Sequence, residues 1–291
     1  MQCQRKRENE MKGTQCFGFT LLIALIGSIW FFTPDSLESQ KLTMEKVVDN
    51  LYVIYGSGGN VGVFITKEGV ILVDDKFEQH VPEIIEKVKT ITDQPVRYVI
   101  NTHHHGDHVG GNPLLLATSE IIAHRNARKN MINKAQPGLP RVTFNEEATV
   151  FLGGQEVRIY HFGSGHTNGD LVVHFPAQKV IHSGDLFVKG NFFVDYASGG
   201  SSLEWDKVFL AMLELEFDKV IPGHGEVANR NDVIQQKKDF AIIRQRIRKI
   251  IQQGGSPNQA VERLKLDDLP GWKFTNLMKR SLKGLFKELA N

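Results

Sequence analysis

Cysteine is almost missing from this chain: of 291 residues only Cys3 and Cys16 are cysteines, and both fall in the first seventeen positions. Everything after them lacks a thiol, so the body of the protein can hold neither a disulfide framework nor a cysteine metal ligand. Net charge is scarce as well. The 35 Lys and Arg against 33 Asp and Glu leave +2, which gives no global pull toward nucleic acid or anionic lipid. Short-period repeats and low-complexity tracts are also lacking, which sets aside solenoids and tails as the organising theme. With 41% hydrophobic and 23% charged residues, the composition is that of an ordinary globular protein.

The one long apolar run sits near the N-terminus. Arg5, Lys6, Arg7 and Lys12 precede an uncharged stretch from Cys16 to Phe32, and the polar stretch 33–39 follows. Basic flank, apolar middle and polar exit are the order of an export signal. The run has roughly the 17–25 residues of a membrane span, so a cleaved signal and a short anchor are both open. The expectation is an extracytoplasmic protein, periplasmic or secreted, attached to the membrane if the segment is retained. Residues 1–41 are assigned to this segment and its linker.

Beyond residue 42 the pattern is mixed α/β. Lys46 to Tyr55, Val61 to Thr66 and Val70 to Asp74 read as strands separated by the glycine clusters at 56–59 and at Gly69. Val81, Ile84, Ile85 and Val88 fall at helical spacing within Glu78 to Ile91, and Val96 to Ile100 returns to a buried strand. A second half repeats the theme with strands at Thr149 to Leu152, Glu156 to Phe162, Leu171 to Phe175 and Lys179 to His182. A helix from Ser202 to Leu215 and a strand from Lys219 to Ile221 complete it. Two halves that each need a covered sheet predict one α/β domain, an αββα sandwich over 42–230. Residues 231–291 read as a helical extension packed on that domain. Its last helix carries an apolar stripe from Phe274 to Leu289 amid Lys279, Arg280, Lys283 and Lys287, which suits docking on the domain or lying on a membrane.

The chemistry concentrates after the strand ending at Ile100. His103, His104, His105, Asp107 and His108 crowd six positions, and no single regular element can aim them all inward. A loop can. Imidazole and carboxylate without thiolate are the ligand types of zinc and similar first-row metals.

His103-x-His105-x-Asp107-His108 resembles the HxHxDH signature of the metallo-β-lactamase superfamily. Gly165-His166-Thr167, Ser183-Gly184-Asp185 and Pro222-Gly223-His224-Gly225 resemble that family's later segments in the expected order, over residues 45 to 230. The resemblance implies two mixed sheets packed face to face with outer helices. It implies that His103, His105 and His166 hold one metal, that Asp107, His108 and His224 hold a second, and that Asp185 bridges them as in glyoxalase II-like members. Cysteine-bearing β-lactamases have cysteine at that position, and this chain departs from them there. Asp74 resembles the family's aspartate that steadies a ligating histidine. His104 occupies a variable slot, expected to face away from the metals. His124 is placed at a strand-to-helix boundary or pocket wall, His161, His174 and His182 as satisfied structural histidines, and His80 at the surface.

The cofactor implied is two Zn2+, with Fe or Mn as alternatives, and the activity is hydrolysis of a carbonyl-containing small molecule by a hydroxide shared between the metals, β-lactamase-like. Two such cations lower the pKa of bound water from near 15.7 to about 7. Asp107 is the catalytic residue, orienting the hydroxide and passing a proton. Thioesterase or lactonase action of the glyoxalase II type is the alternative. Lys189 lies one residue beyond the carboxylate-binding lysine of the cysteine-bearing enzymes. A different class, a mononuclear iron oxidoreductase such as a persulfide dioxygenase, lacks ligands for a second metal, whereas His108 and His224 are present here. Nucleic-acid processing has no basic arm or aromatic cluster to support it.

Overall fold

The computed structural model describes residues 41–291; Cys3, Cys16 and the apolar run 16–32 lie outside the described residues. Strands β1 (Thr43–Val48), β2 (Leu51–Tyr55), β3 (Val61–Thr66) and β4 (Gly69–Val73) form an antiparallel meander. Helix α1 (Val81–Lys89) then crosses back to β5 (Val96–Asn101), which lies parallel to β4. Short α2 (Gly106–Val109) and α3 (Asn112–Leu115) lead to β6 (Glu120–His124), α4 (Arg125–Asn133) and β7 (Val142–Phe144), and these strands complete a seven-stranded sheet in chain order.

The second sheet has six strands in the order β13, β12, β11, β10, β9, β8. These are β8 (Glu147–Leu152), β9 (Gln155–Tyr160), β10 (Val172–Phe175), β11 (Val180–Gly184), β12 (Lys219–Pro222) and β13 (Ala228–Asn229). Helix α5 (Trp205–Glu214) connects β11 to its parallel neighbour β12. Helices α6 (Arg230–Gln252), α7 (Pro257–Arg263) and α8 (Asn276–Ala290) end the chain.

Alternation along the strands explains the layers, because successive side chains point to opposite faces. In β4, Ile71 and Val73 enter the core between the sheets, while Val70 and Leu72 turn outward onto Ile84 and Val88 of α1. A strand covered on both faces reads as one apolar run, as Gly69–Val73 does, with every residue buried. The inter-sheet core joins Phe64 and Ile100 to Val173, Phe175 and Ile221, with the rings of Phe64 and Phe175 4.9 Å apart. On the far side of the second sheet, Ile181 and Val220 share a core with Trp205 and Phe209 of α5, Phe240 and Ile243 of α6, and Leu282 and Leu285 of α8. The architecture is therefore the αββα sandwich expected. Most of the apolar stripe of α8 is occupied by this core, with Met278, Leu282 and Leu285 fully buried, while Phe274 and Leu277 at its start stay exposed.

Three local readings change. The stretch 46–55 is two strands, not one: Asn50 turns the chain at φ +63°, a left-handed conformation that Asn tolerates. Strand β7 is new, and β6 is the strand expected to end at His124. His80, expected at the surface, is buried at 3% exposure beside Phe77. Among the described residues no helix is long and apolar enough to cross a membrane.

Candidate metal centre

The parallel strands aim their carboxyl ends at one rim of the sandwich. Asp74 follows β4, His103 follows β5, Asp185 follows β11 and His224 follows β12, the position where open α/β sheets place ligands. Beyond Asn101 the chain leaves the sheet before α2 begins, and this short irregular passage lets His103, His105, Asp107 and His108 fan inward. His166 enters from the loop between β9 and β10. That loop is braced by Asp170, whose carboxylate accepts from the Thr167 amide at 2.8 Å and the Thr167 hydroxyl at 2.6 Å.

Two groups of donors result. The ligand atoms of His103, His105, His166 and Asp185 lie within 4.8 Å of one another, and so do those of Asp107, His108 and His224. Asp185 reaches toward both: its Oδ2 is 3.5 Å from His166 Nε2, and its Oδ1 is 3.4 Å from Nε2 of both His108 and His224. Asp107 Oδ2 lies 3.3 Å from His224 Nε2 and 3.7 Å from His108 Nε2. All seven residues singled out as ligands thus converge.

Hydrogen bonds on the outer side of each ring decide which nitrogen carries the proton. His166 Nδ1 donates to the Phe193 carbonyl at 2.6 Å, and His105 Nε2 donates to the Asp195 carboxylate at 3.0 Å. His108 Nδ1 donates to Asp74 Oδ2 at 2.7 Å. The Thr102 hydroxyl gives its proton to Asp74 at 2.7 Å, so it accepts from His103 Nδ1 at 3.1 Å. The inner nitrogens of His103, His105 and His166 therefore present lone pairs. That of His108 does so in its neutral form; burial opposes its charge, yet Asp185 and Asp74 hold its pKa well above the ordinary range. His105 Nδ1 faces His166 Nε2 at 2.9 Å, His108 Nε2 faces His224 Nε2 at 3.3 Å, and His103 Nε2 is buried with no hydrogen-bond partner. The facing lone pairs of His105 and His166 repel unless a cation lies between them, and the carboxylates of Asp107 and Asp185 face His108 and His224, so the donor set fits divalent metal.

The electrostatics separate the two groups. Burial pushes the His166 imidazole down to about 4 and holds His103 well below its ordinary range, which keeps both rings neutral and ready to coordinate. His224 runs the other way: burial opposes its charge, yet Asp185 and Asp107 push it up to about 9. Asp107 is lowered to about 2 despite its burial, because the rings of His224 and His108 face it. The carboxylates thus demand positive charge at this point.

Two glycines are required by close approach. A Cβ at Gly223 would sit 1.9 Å from Asp185 Oδ1, and one at Gly59 would sit 2.2 Å from His108 Cε1. The neighbouring Asn60 ties the rim together, its side-chain amide donating to the carbonyls of Pro222 at 2.9 Å and Gly225 at 2.7 Å.

The remaining histidines divide. His104 is buried and turned to Ser198 Oγ at 3.1 Å, and its ligand atom lies within 4.8 Å of those of His105 and Asp195, a third cluster of donors beside the first group. His124 ends β6, caps α4 and stacks on His161 at 3.8 Å. His161 Nδ1 is bonded to the Asp170 carbonyl at 2.8 Å. His174 and His182 are only half satisfied, since His174 Nδ1 and His182 Nε2 are buried without partners. Lys189 pairs with Asp232 of α6 at 2.8 Å. Sequence reasoning missed Asp195, Asn60 and the Phe193 carbonyl. None lies in a recognisable motif, and their roles exist only in space.

Around the centre, the Phe193 ring flanks those of His105 at 6.0 Å and His166 at 5.5 Å, and Arg280 of α8 stacks over it at 5.7 Å. Lys134 stands on the other side of Asp195 at 3.4 Å. Beside His224 opens a cavity of about 700 Å³, lined by Tyr55, Asn60, Glu226 and Lys41 among others.

Residues 54–224 match the profile of the family described as the metallo-beta-lactamase superfamily. The chain is similar to a metallo-beta-lactamase type 2 of Bacillus cereus, 30% identical over 178 residues, which cover 58% of this chain and 67% of that protein. It is also similar to a metallo-beta-lactamase type 2 of Elizabethkingia meningoseptica, 27% identical over 169 residues, covering 53% of this chain and 66% of the relative. The chain thus spans about two thirds of the length of these relatives. Among solved structures, a metallo-beta-lactamase from Pontibacter korlensis superimposes with a TM-score of 0.62 at 22% identity, over 69% of this chain and 99% of the other.

Proposed function

The chain belongs to the metallo-beta-lactamase superfamily and is a metal-dependent hydrolase, and from that premise we propose that two zinc ions occupy its two donor groups and that its substrate is a carbonyl compound opened as a β-lactam is. The observation that carries the reading is the convergence of imidazole lone pairs on points shared with Asp107 and Asp185. His103, His105 and His166 would hold one cation and Asp107, His108 and His224 the other, with Asp185 within reach of both groups.

When bound, the pair of cations supplies a water that ionises near neutral pH and a Lewis acid for the carbonyl oxygen. The chain's own residues do the rest. Asp107 holds the attacking water through its carboxylate and carries the proton toward the leaving group. Phe193 screens the His105 and His166 side from solvent. Lys134 and Arg280 form a cationic rim that draws a substrate bearing an anionic group, and the cavity beside His224 takes the remainder of the molecule. The presence of both donor groups favours hydrolysis over one-iron oxidation. An extracytoplasmic setting, from the basic, apolar and polar order of the first 39 residues, belongs to the same proposal.

The test is a panel assay of the full-length, zinc-loaded protein on β-lactam, thioester, lactone and phosphodiester substrates, with metal content measured alongside. Turnover of a β-lactam at two zinc equivalents is expected. Turnover of the thioester or lactone alone would move the chain to the glyoxalase II type. One equivalent of iron would discard the hydrolytic reading.

A further inference from the structure

The C-terminal helix α8 touches no proposed ligand, yet it grips the loop that does. Residues 193–202 run past the first donor group: the Phe193 carbonyl fixes His166, the Asp195 carboxylate fixes His105, and Ser198 Oγ meets His104. The same loop is tied to the His166 loop by the Asp195 amide, which donates to the His166 carbonyl at 2.8 Å, and by the Ser201 amide, which donates to the Gly165 carbonyl at 3.0 Å. Its position therefore sets the outward nitrogens of two imidazoles.

Glu288 of α8 holds this loop by one carboxylate. Oε1 accepts from Ser201 Oγ at 2.6 Å, and Oε2 accepts from the Ser202 amide at 3.0 Å, from Tyr196 Oη at 3.0 Å and from the Ser202 hydroxyl. One and two turns earlier on the helix, Gly284 admits the Tyr196 ring, where a Cβ would lie 2.2 Å from Cδ2, and Ser281 Oγ accepts from the Val194 amide at 2.9 Å. Four donors on one half-buried carboxylate form a charge-assisted clamp, stronger than the same bonds to a neutral group.

We propose that Glu288 is a positioning residue for the first donor group: by clamping residues 196–202 it holds Phe193 and Asp195 where they orient His166 and His105 for metal. The inference rests on the metal reading of the site, not on any substrate. It extends the centre to a helix more than sixty residues beyond His224 in sequence.

The experiment compares the full-length wild-type protein with E288Q, which keeps size and loses charge. Cobalt titration of the metal-free protein is followed by its visible spectrum, and the imidazole N–H protons of His105 and His166 are followed by NMR with and without cobalt. Outer partners of ligating histidines typically change metal affinity 10–100-fold, and a residue one contact further out is expected to change it by about 3–10-fold. In E288Q the first cobalt should bind that much more weakly, and the His105 and His166 N–H signals should exchange faster. Binding at Asp107, His108 and His224 and the His108 N–H signal should not change. Leu282→Ala, which opens the same helix's core, should lower the thermal midpoint without this selectivity. Equal weakening of both cobalt sites, unchanged N–H exchange, or the same pattern in Leu282→Ala would overturn the proposal. Should E288Q not fold, Ser201→Ala removes a single clamp bond and carries the same expectation at smaller size. The N–H readout needs neither turnover nor metal, so failure of the proposed hydrolysis leaves this result legible.

Discussion

Replacing Asp74 by Asn tests the tautomer argument most directly. Asp74 is fully buried and accepts three hydrogen bonds at 2.7 Å, from the Thr102 amide, the Thr102 hydroxyl and His108 Nδ1. Asparagine fits the space but brings a donor pair where one oxygen stood. Turned one way, its NH2 meets the Thr102 amide; turned the other, it meets His108 Nδ1. The Thr102 amide cannot change, so the second arrangement is preferred, and His108 must move its proton to Nε2, where the lone pair facing His224 and Asp185 is lost. Bonds to a charged group contribute about 1.5–3 kcal/mol, and a buried donor left unmade costs about 1–3 kcal/mol, so stability should fall by about 2–4 kcal/mol. Affinity of the second site for zinc should fall at least 10–100-fold, the usual effect of losing a histidine's outer partner. Asp74→Ala should destabilise the fold more, through the cavity it leaves, but impair metal binding less, because it imposes no wrong tautomer. The assay is competition with a zinc chelator combined with thermal denaturation of both variants. If Asp74→Asn bound two zinc ions with wild-type affinity, or proved less harmful to binding than Asp74→Ala, the reasoning would be refuted.

Other outcomes follow from the same geometry. Stripping the metal with a chelator should abolish hydrolysis and lower the thermal midpoint, and restoring zinc should return both, since a ligand bound only by the native state stabilises it by mass action; an unchanged midpoint would count against the centre. Burial pushes the Lys76 amine down to about 8 from 10.5, against the pull of Asp107 and Asp74. The unfolded chain therefore binds more protons between those values, the charging penalty is complete below pH 8, and stability rises as pH climbs from 8 to 10.5. Lys76→Met should lack that rise in denaturant titrations across the window. Reversing the charge of the rim with Arg280→Glu should weaken kcat/KM for an anionic substrate by about tenfold while sparing its neutral ester, a loss of about 1.4 kcal/mol; equal effects on both would remove the rim from recognition.

The sequence and the structure agree where a side chain's role is local. The apolar runs of β3 and β4, helical spacing in α1 and the crowding of histidines at 103–108 were all readable from residue order. So was the αββα layering, because each half needed a cover. What escaped was relational. Asp195 lies in a loop whose sequence resembles any turn, and only folding brings it to His105 Nε2. Asn60 reads as the end of a glycine cluster until Pro222 and Gly225 arrive from the other sheet. His80 looked exposed because its neighbours Glu78 and Gln79 are polar, but the short helical turn there points the ring inward. Strand β7 is three residues long, too short for a periodic signal, and Asn50 hid a hairpin inside what looked like one continuous strand.

The donors of the centre come from both sheets: the 103–108 passage leaves the first, whereas His166, Asp185 and His224 belong to the second. A cation held there acts as a rivet through two plates. Without it, the plates still meet through Asp185 on His108 and Asp107 on His224, but the nitrogens of His105 and His166 face each other at 2.9 Å with nothing between them. A cation bound only by the native fold would add its binding energy to this seam, so limited proteolysis should cut the metal-free chain first at the loops of this rim and the metal-loaded chain more slowly.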